Sequence, residues 1–292
     1  MTQATAQKSF LEKVAVFCEA IKVSHSVFAL PFAVSSAFLA AGGLPALDLL
    51  GKIVLAVVLA RTAAMAFNRW ADARIDALNP RTQSRAVPRG LLSRRFFAVA
   101  TAACAAGFVL TCAWIHDLAL WLCPVVLLVL LGYSYTKRFT SASHLVLGAA
   151  LGLSPVGAWV AVREEVSLTS VFLALAVLLW TAGFDVIYAC QDHEFDHTHG
   201  LHSIPRRFGI RGGLLISRWL HAGAFALLVS LGFLERMGLP YTAGLLCVAG
   251  LLVYEHSLVK PHDLSRVNVA FFSLNGLVSL VFMGSVVLET LL

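Results

Sequence analysis

Apolar residues run along this chain in stretches of about twenty, broken by short polar connections, and nowhere alternate with polar ones at period two. Nine stretches of bilayer-spanning length can be drawn, at about residues 23–41, 51–70, 96–115, 118–135, 144–162, 168–190, 214–234, 240–258 and 268–289. The missing alternation excludes a β-barrel, so the pattern predicts an all-α, polytopic membrane bundle of about nine helices. Pro31, Pro124 and Pro155 fall inside or near the ends of stretches, where neighbouring helices, hydroxyls or waters can satisfy the carbonyls that proline frees. Composition agrees: 59% of the 292 residues are hydrophobic and only 13% are charged. A soluble domain carries about a quarter charged residues, enough to cover itself in water.

The net charge of +6 would suggest nucleic acid in a soluble protein. In a membrane protein it reflects Lys and Arg gathered in cytoplasmic connections, so no nucleic-acid partner is expected. With the N-terminal tail and the connections after spans two, four, six and eight on one side, only Lys52, Arg163 and Arg236 fall on the other, and Arg61 lies inside span two. That leaves eighteen of the 22 basic residues on the first side, Lys8 among them, and assigns it to the cytoplasm. The N-terminal segment MTQATAQKSFLEKV does not read as a cleavable signal peptide. Six scattered cysteines form no C-x-x-C pair and indicate neither zinc nor a disulfide framework.

The long polar connections follow spans two and six, and they match each other. Asp72 and Asp76 correspond to Asp192 and Asp196, and each stretch runs on to a Pro-Arg pair, Pro88-Arg89 and Pro205-Arg206. The offset of about 120 residues fits a duplication of four helices, with a ninth helix added. Asn68, Asp72 and Asp76 are four apart, which on a helix puts them on one face; Asp185, Asp192 and Asp196 repeat this after span six. Ionisable residues at span ends mark function by default. Facing carboxylates repel unless hard cations sit between them, and Mg²⁺ suits carboxylate oxygens while keeping waters and phosphates as further ligands. The residues therefore predict a magnesium-held polyphosphate site, with Lys137, Arg138, Arg206 and Arg207 near enough in sequence to take phosphate oxygens. For Lys137 and Arg138, anchoring at the membrane face is an equal alternative.

Taken together, Asn68-x3-Asp72-x3-Asp76, Tyr133-x3-Lys137-Arg138-x-Thr140, Asp185-x2-Tyr188-x3-Asp192-x3-Asp196 and the closing G-L-H-S-I-P-R-R-F-G resemble the UbiA superfamily of intramembrane prenyltransferases over nearly the whole chain. Within it the chain is most similar to the quinone-pathway branch that includes 4-hydroxybenzoate polyprenyltransferases. The segment I-K-V-S-H-S-V-F-A-L-P-F-A looks more like a sub-branch serving menaquinone synthesis through futalosine, whose acceptor is a dihydroxynaphthoate. Ubiquinone enzymes usually carry an Arg and a Lys-Pro pair where this chain has Lys22 and His25-Ser26.

The resemblance implies a bacterial inner or plasma membrane enzyme with its active site at the cytoplasmic face. It implies Mg²⁺ held by Asp72, Asp76, Asp192 and Asp196, with Asn68 as a neutral ligand, binding a polyprenyl diphosphate. Lys137 and Arg138 would hold the leaving group, and Tyr133, Tyr188 and Asp185 would contribute to substrate binding. Phe67, Trp70 and Tyr188 either turn their π-faces to the allylic cation or belong to an interfacial aromatic belt. The acceptor's carboxylate needs a cation, Lys22 or Arg61; an Arg61–Asp185 ion pair is the competing expectation.

Three other readings fit the residues less well: a zinc hydrolase, a phosphoalcohol transferase and a secondary transporter. His193, His197, His199 and His202 cluster near the second stripe, but no H-E-x-x-H accompanies them, and the D-G-x2-A-R motif of phosphoalcohol transfer is absent. Repeats and intramembrane carboxylates also suit a secondary transporter, although transporter sites lie near the midplane and these carboxylates lie at one face.

Overall fold

The structure is a computed structural model and describes residues 10–292. Lys8 and the first nine residues of the N-terminal segment lie outside the described residues. A short helix α1 (Phe10–Ala20) precedes the first span, which combines a 3-10 turn (Val23–Phe28) with α2 (Leu30–Ala41). Span two is α3 (Leu47–Ala71), followed by the short α4 (Ala73–Leu78). Then come α5 (Arg94–Ile115), α6 (Asp117–Thr136), α7 (Ser143–Arg163) and α8 (Leu168–Ala189), the last trailed by the short α9 (His193–Thr198). The chain closes with α10 (Ile204–Leu234), α11 (Leu239–Leu258) and α12 (Asn275–Leu291), which is entered through a π-helical turn (Val269–Leu274). Nine helical runs among the described residues are long and apolar enough to cross a membrane, and they overlap the nine predicted stretches.

Local chemistry sets the boundaries. The Ser93 hydroxyl caps α5 by accepting from Phe96 N–H, Ser167 and Ser170 form a capping box on α8, and Ser203 accepts from Arg206 N–H ahead of Pro205 on α10. Gly42, at φ 64°, closes α2 in the left-handed region that glycine enters without strain. The seventh helix starts ten residues before the predicted span. Gly209 explains the difference: at φ 71° and ψ 166° it breaks α10, so the capped turn ahead of it is separate from the spanning part.

Large apolar side chains cover the outside, with Trp121 77%, Phe233 81% and Leu239 79% exposed. In water such a surface would be untenable; in lipid it is the expected one, and the protein is an integral membrane protein. Inside, the two halves differ. Phe32, Trp180, Tyr241 and Phe282 fill the space among α2, α8, α11 and α12. Between α3, α5 and α6 the buried set is smaller-sided, with Ala56, Ala60 and Ala64 facing Phe108 and Leu130. Those alanines leave volume unfilled, and the cavity described below occupies it.

Helices α7 and α8 approach closely through Gly148 and Gly152, spaced as small-xxx-small. A Cβ on Gly148 would stand 2.2 Å from the Leu178 carbonyl oxygen, a backbone atom that cannot step aside. Gly148→Ala should therefore cost about 1–3 kcal/mol through overpacking. The expected result is a lowered Tm of the detergent-purified protein, while Gly250→Ala, which meets nothing within 4 Å, leaves Tm unchanged.

Candidate active site

Both acidic stripes lie where a spanning helix loses its regularity. Asp72 (φ −90°, ψ 3°) separates α3 from α4, and Asp192 (φ −98°, ψ 6°) separates the end of α8 from α9. The stripes are thus not single unbroken helical faces, as the spacing suggested. Each bends at its first aspartate of the D-x-x-x-D pair, and the same break at equivalent positions is what two copies of one unit would give.

Every aspartate is held by a cation or a donor. Asp72, 1% exposed, accepts from Lys137 Nζ at 2.5 Å, from Asn68 Nδ2 at 3.1 Å and from Arg138 Nη2 at 3.4 Å. Asp76, 3% exposed, accepts from Arg85 Nη1 at 2.7 Å, while its Oδ2 has no hydrogen-bond donor and faces Arg69 Nη1 at 3.8 Å. Asp192 receives a two-pronged contact from Arg81, with Nε at 2.9 Å and Nη2 at 2.5 Å, plus Asn79 Nδ2 at 2.9 Å. Arg81 also donates to the Tyr188 hydroxyl at 2.7 Å. Burial works against the Arg81 charge, but the Asp192 carboxylate more than offsets it and raises the guanidinium above its ordinary value. Asp196, also buried, pairs with Ser203.

A cavity of about 540 Å³ collects the predicted residues. Asn68, Asp72, Asp76, Asp192, Asp196 and Lys137 line one end of it, with Tyr133, Asp185 and Tyr188 beside them and Lys22 and Arg61 on the flank of the 3-10 turn. From there an apolar arm extends between α3, α5, α6 and α7, past Ala60, Phe108, Leu130 and Ala150 to Ile115 and Ala161. From His144 to Ala161 the helical rise alone gives it a length of about 25 Å.

Several expectations are corrected by this geometry. Arg138 does not line the cavity; it backs Asp72, bonds the Ala71 carbonyl at 2.9 Å and stacks over Tyr135. Arg206 caps the Leu201 carbonyl at 2.7 Å and Arg207 lies over Phe208, so neither serves the cavity. Arg61 makes no pair with Asp185. Its Nη2 donates to the Lys22 carbonyl at 2.8 Å, and Asp185 instead bonds His144 Nδ1 at 2.6 Å. The other ring nitrogen of His144 accepts from Ile204 N–H at 3.3 Å, which leaves the proton on Nδ1 for Asp185. Phe67 and Trp70 pair with each other away from the cavity, and of the three aromatics only Tyr188 lines it.

Sequence reasoning missed Arg81, Arg85, Asn79 and His144. Both arginines lie in the polar connection after span two, where Lys and Arg read simply as topology signals. The lone His144 at the head of an apolar stretch carried no pattern at all.

Hard oxygen donors on both sides of one cavity, with the Asp76 oxygen lacking a donor, fit magnesium chemistry. The carboxylates are paired with protein cations and not gathered round one centre: among the described residues, no three His, Cys, Asp or Glu side chains form a metal-holding group. The Asn68 oxygen, the atom a metal would need, accepts from Arg69 Nη1 at 3.2 Å. The histidines near the second stripe do not converge either; the His199 ring stacks on Phe195, and the His202 backbone N–H donates to the Lys137 carbonyl.

The model of the UbiA prenyltransferase family matches residues 29–277. The chain belongs to the UbiA prenyltransferase family. It is 34% identical over 212 residues to the 4-hydroxybenzoate octaprenyltransferase of Pectobacterium atrosepticum, covering 72% of each chain. The protein of that name from Yersinia enterocolitica is 34% identical over 204 residues, covering 69% of each. Among solved structures, the apo form of a UbiA homologue from Aeropyrum pernix K1 superposes with a TM-score of 0.83 at 35% identity, over 91% of this chain and 98% of that one. A UbiA homologue from Archaeoglobus fulgidus, solved with DMAPP and Mg²⁺, shares the fold at a TM-score of 0.73 and 19% identity, over 92% and 97%. This UbiA protein is a prenyltransferase, which removes the transporter alternative.

In the UbiA site a lysine cannot reproduce the fork that Arg81 lays on Asp192 and Tyr188. Arg81→Lys should lower kcat/KM for prenyl transfer by about tenfold or more, the value of one or two charge-assisted hydrogen bonds. Arg206→Ala, outside the cavity, should change it by less than about threefold.

Proposed function

We propose that this protein transfers a polyprenyl group from its diphosphate to a ring carbon of an aromatic acid, 4-hydroxybenzoate or a related dihydroxynaphthoate, in ubiquinone or menaquinone biosynthesis. The observation that carries this reading is a single cavity with a cluster of carboxylates and cations at one end and an apolar arm behind it. A polyprenyl diphosphate has those two ends in that order.

Asp72, Asp76, Asp192 and Asp196, with Asn68, would hold Mg²⁺, which as a Lewis acid would take up charge on the diphosphate. Lys137, Arg81 and Arg85 line the same end and share their charge with phosphate oxygens as the allylic C–O bond breaks. Arg138 acts from behind by holding Asp72. The prenyl tail lies in the apolar arm, whose walls keep water from the allylic cation.

The acceptor enters beside Arg61 and Lys22, whose charges meet its carboxylate. Arg61 keeps guanidinium N–H groups beyond those given to the Ile21 and Lys22 carbonyls. The new bond joins the allylic carbon to a ring carbon ortho to the phenol. We assign Asp185, oriented by His144, to take the proton that the ring then releases. The names of the Pectobacterium and Yersinia relatives support 4-hydroxybenzoate. The Lys22 and His25-Ser26 segment supports dihydroxynaphthoate. The bias of basic residues supports a cytoplasmic position for this end of the bundle.

The test is turnover of the purified protein with a polyprenyl diphosphate and Mg²⁺, offering the two acids in parallel. Prenylation of one acid is expected, abolished by EDTA and reduced at least about a hundredfold in Asp72→Ala and Asp192→Ala. Turnover that survives EDTA would remove the metal from this reading. No product with either acid would remove the aromatic acceptor.

A further inference from the structure

Away from the cavity, α8, α10, α11 and α12 enclose a polar cluster that the reaction described above does not use. Glu255 and Asn275 are both 0% exposed and His221 is 2% exposed. Asn275 Nδ2 donates to Glu255 Oε1 at 2.7 Å and to the Ala270 carbonyl at 3.0 Å. His221 lies 3.0 Å from His256 and 3.1 Å from the Trp180 carbonyl. Polar side chains at this depth are costly unless they are paired, so their presence calls for a role.

The Asn275 bond to Ala270 reaches back five residues. In an α-helix the Ala270 carbonyl would take the N–H of residue 274. Here a side-chain amide occupies that carbonyl, and the backbone over Val269–Leu274 is wound as a π-helix. A side chain inserted into the helical ladder is one of the few causes of such irregularity, and π turns recur at functional sites. This turn presents Phe271 to the cavity. The ring stacks on Tyr188 at 4.2 Å and meets Phe28 and Phe184 edge-on at 5.5 Å and 5.3 Å. Tyr188 is the residue whose hydroxyl takes a bond from Arg81, the partner of Asp192.

We propose that Glu255 and Asn275 are positioning residues: they hold the π turn that seats Phe271 on Tyr188 and so fix the aromatic wall beside the diphosphate end of the cavity. The proposal rests on the prenyl-transfer reading, in which that wall faces the allylic carbon as positive charge develops on it. Restoring α pitch removes one residue's worth of winding, about 100° of rotation, and would carry Phe271 off Tyr188.

Asn275→Leu keeps the volume and loses the amide. It should lower kcat by about tenfold, as Phe271→Leu should, because both withdraw the same ring face. The double variant should be no worse than the poorer single one, the mark of two residues acting through one feature. KM for the polyprenyl diphosphate should move less than about threefold, since neither change touches the carboxylates or the apolar arm. Glu255→Gln retains the acceptor oxygen and should restore most of the turnover that Glu255→Leu loses. Additive losses in the double variant, or an unaltered kcat in Asn275→Leu, would overturn the proposal.

A structure of Asn275→Leu reads the turn without any turnover. Regular α winding through 269–274, with Phe271 displaced, is expected; a retained π turn overturns the proposal whatever the acceptor. A relaxed turn beside a wild type inactive with both acids would remove the aromatic acid as acceptor while leaving the seating of Phe271 by Asn275 established.

Discussion

Everything at the polar end of this bundle follows from the need to compensate carboxylates buried among apolar helices. A buried charge without a partner costs several kcal/mol, and Asp72 and Asp76 are almost wholly buried. The chain meets that requirement with its own cations, and in doing so ties its two halves together. The connection after α4 carries Arg81 and Asn79 across to Asp192, which belongs to the second half. In return, the connection after α9 bonds the Lys137 carbonyl through His202, and Lys137 pairs with Asp72 of the first half. Two loops that sequence would leave free are thereby drawn to the polar end of the cavity.

These cations also define the chemistry. In the proposed reaction, a guanidinium already oriented against a carboxylate needs little reorganisation to share its charge with a phosphate oxygen. Arg138 stands further back, held by the Ala71 carbonyl, and positions Asp72. Arg69, held by the Ala20 carbonyl, lines the cavity beside Asp76, as Arg81, Arg85 and Lys137 also do. The alanine-sided half of the bundle supplies the space, and the aromatic half supplies the rigidity against which that space stays open.

The spans and the acidic residues were legible in the sequence for simple reasons. Twenty apolar residues have no soluble alternative, and a carboxylate pair repeated at matching span ends has no cheap structural explanation. The backbone breaks at Asp72 and Asp192 were not legible, because i, i+4 spacing is equally compatible with a straight helix and with one that bends and restarts. Nor was the start of α10, where Gly209 divides a run that looks uniform in composition.

Partner choice lay further out of reach. Sequence proximity favoured Arg206 and Arg207 as site cations, yet Ser203 starts α10 in a direction that takes both away from the cavity. It set Asp185 against Arg61, although they approach from helices whose separation only packing fixes, and His144 intervenes. Phe271 reaches Tyr188 from the last span, 83 positions along the chain, through a turn whose pitch depends on one asparagine amide. Solvent, span count, acidic residues and family can all be read along the chain, since each rests on local pattern or residue type. The tertiary structure alone decided which cation meets which carboxylate and which aromatic faces the cavity. Those choices depend on distances between helices, and no local pattern encodes them.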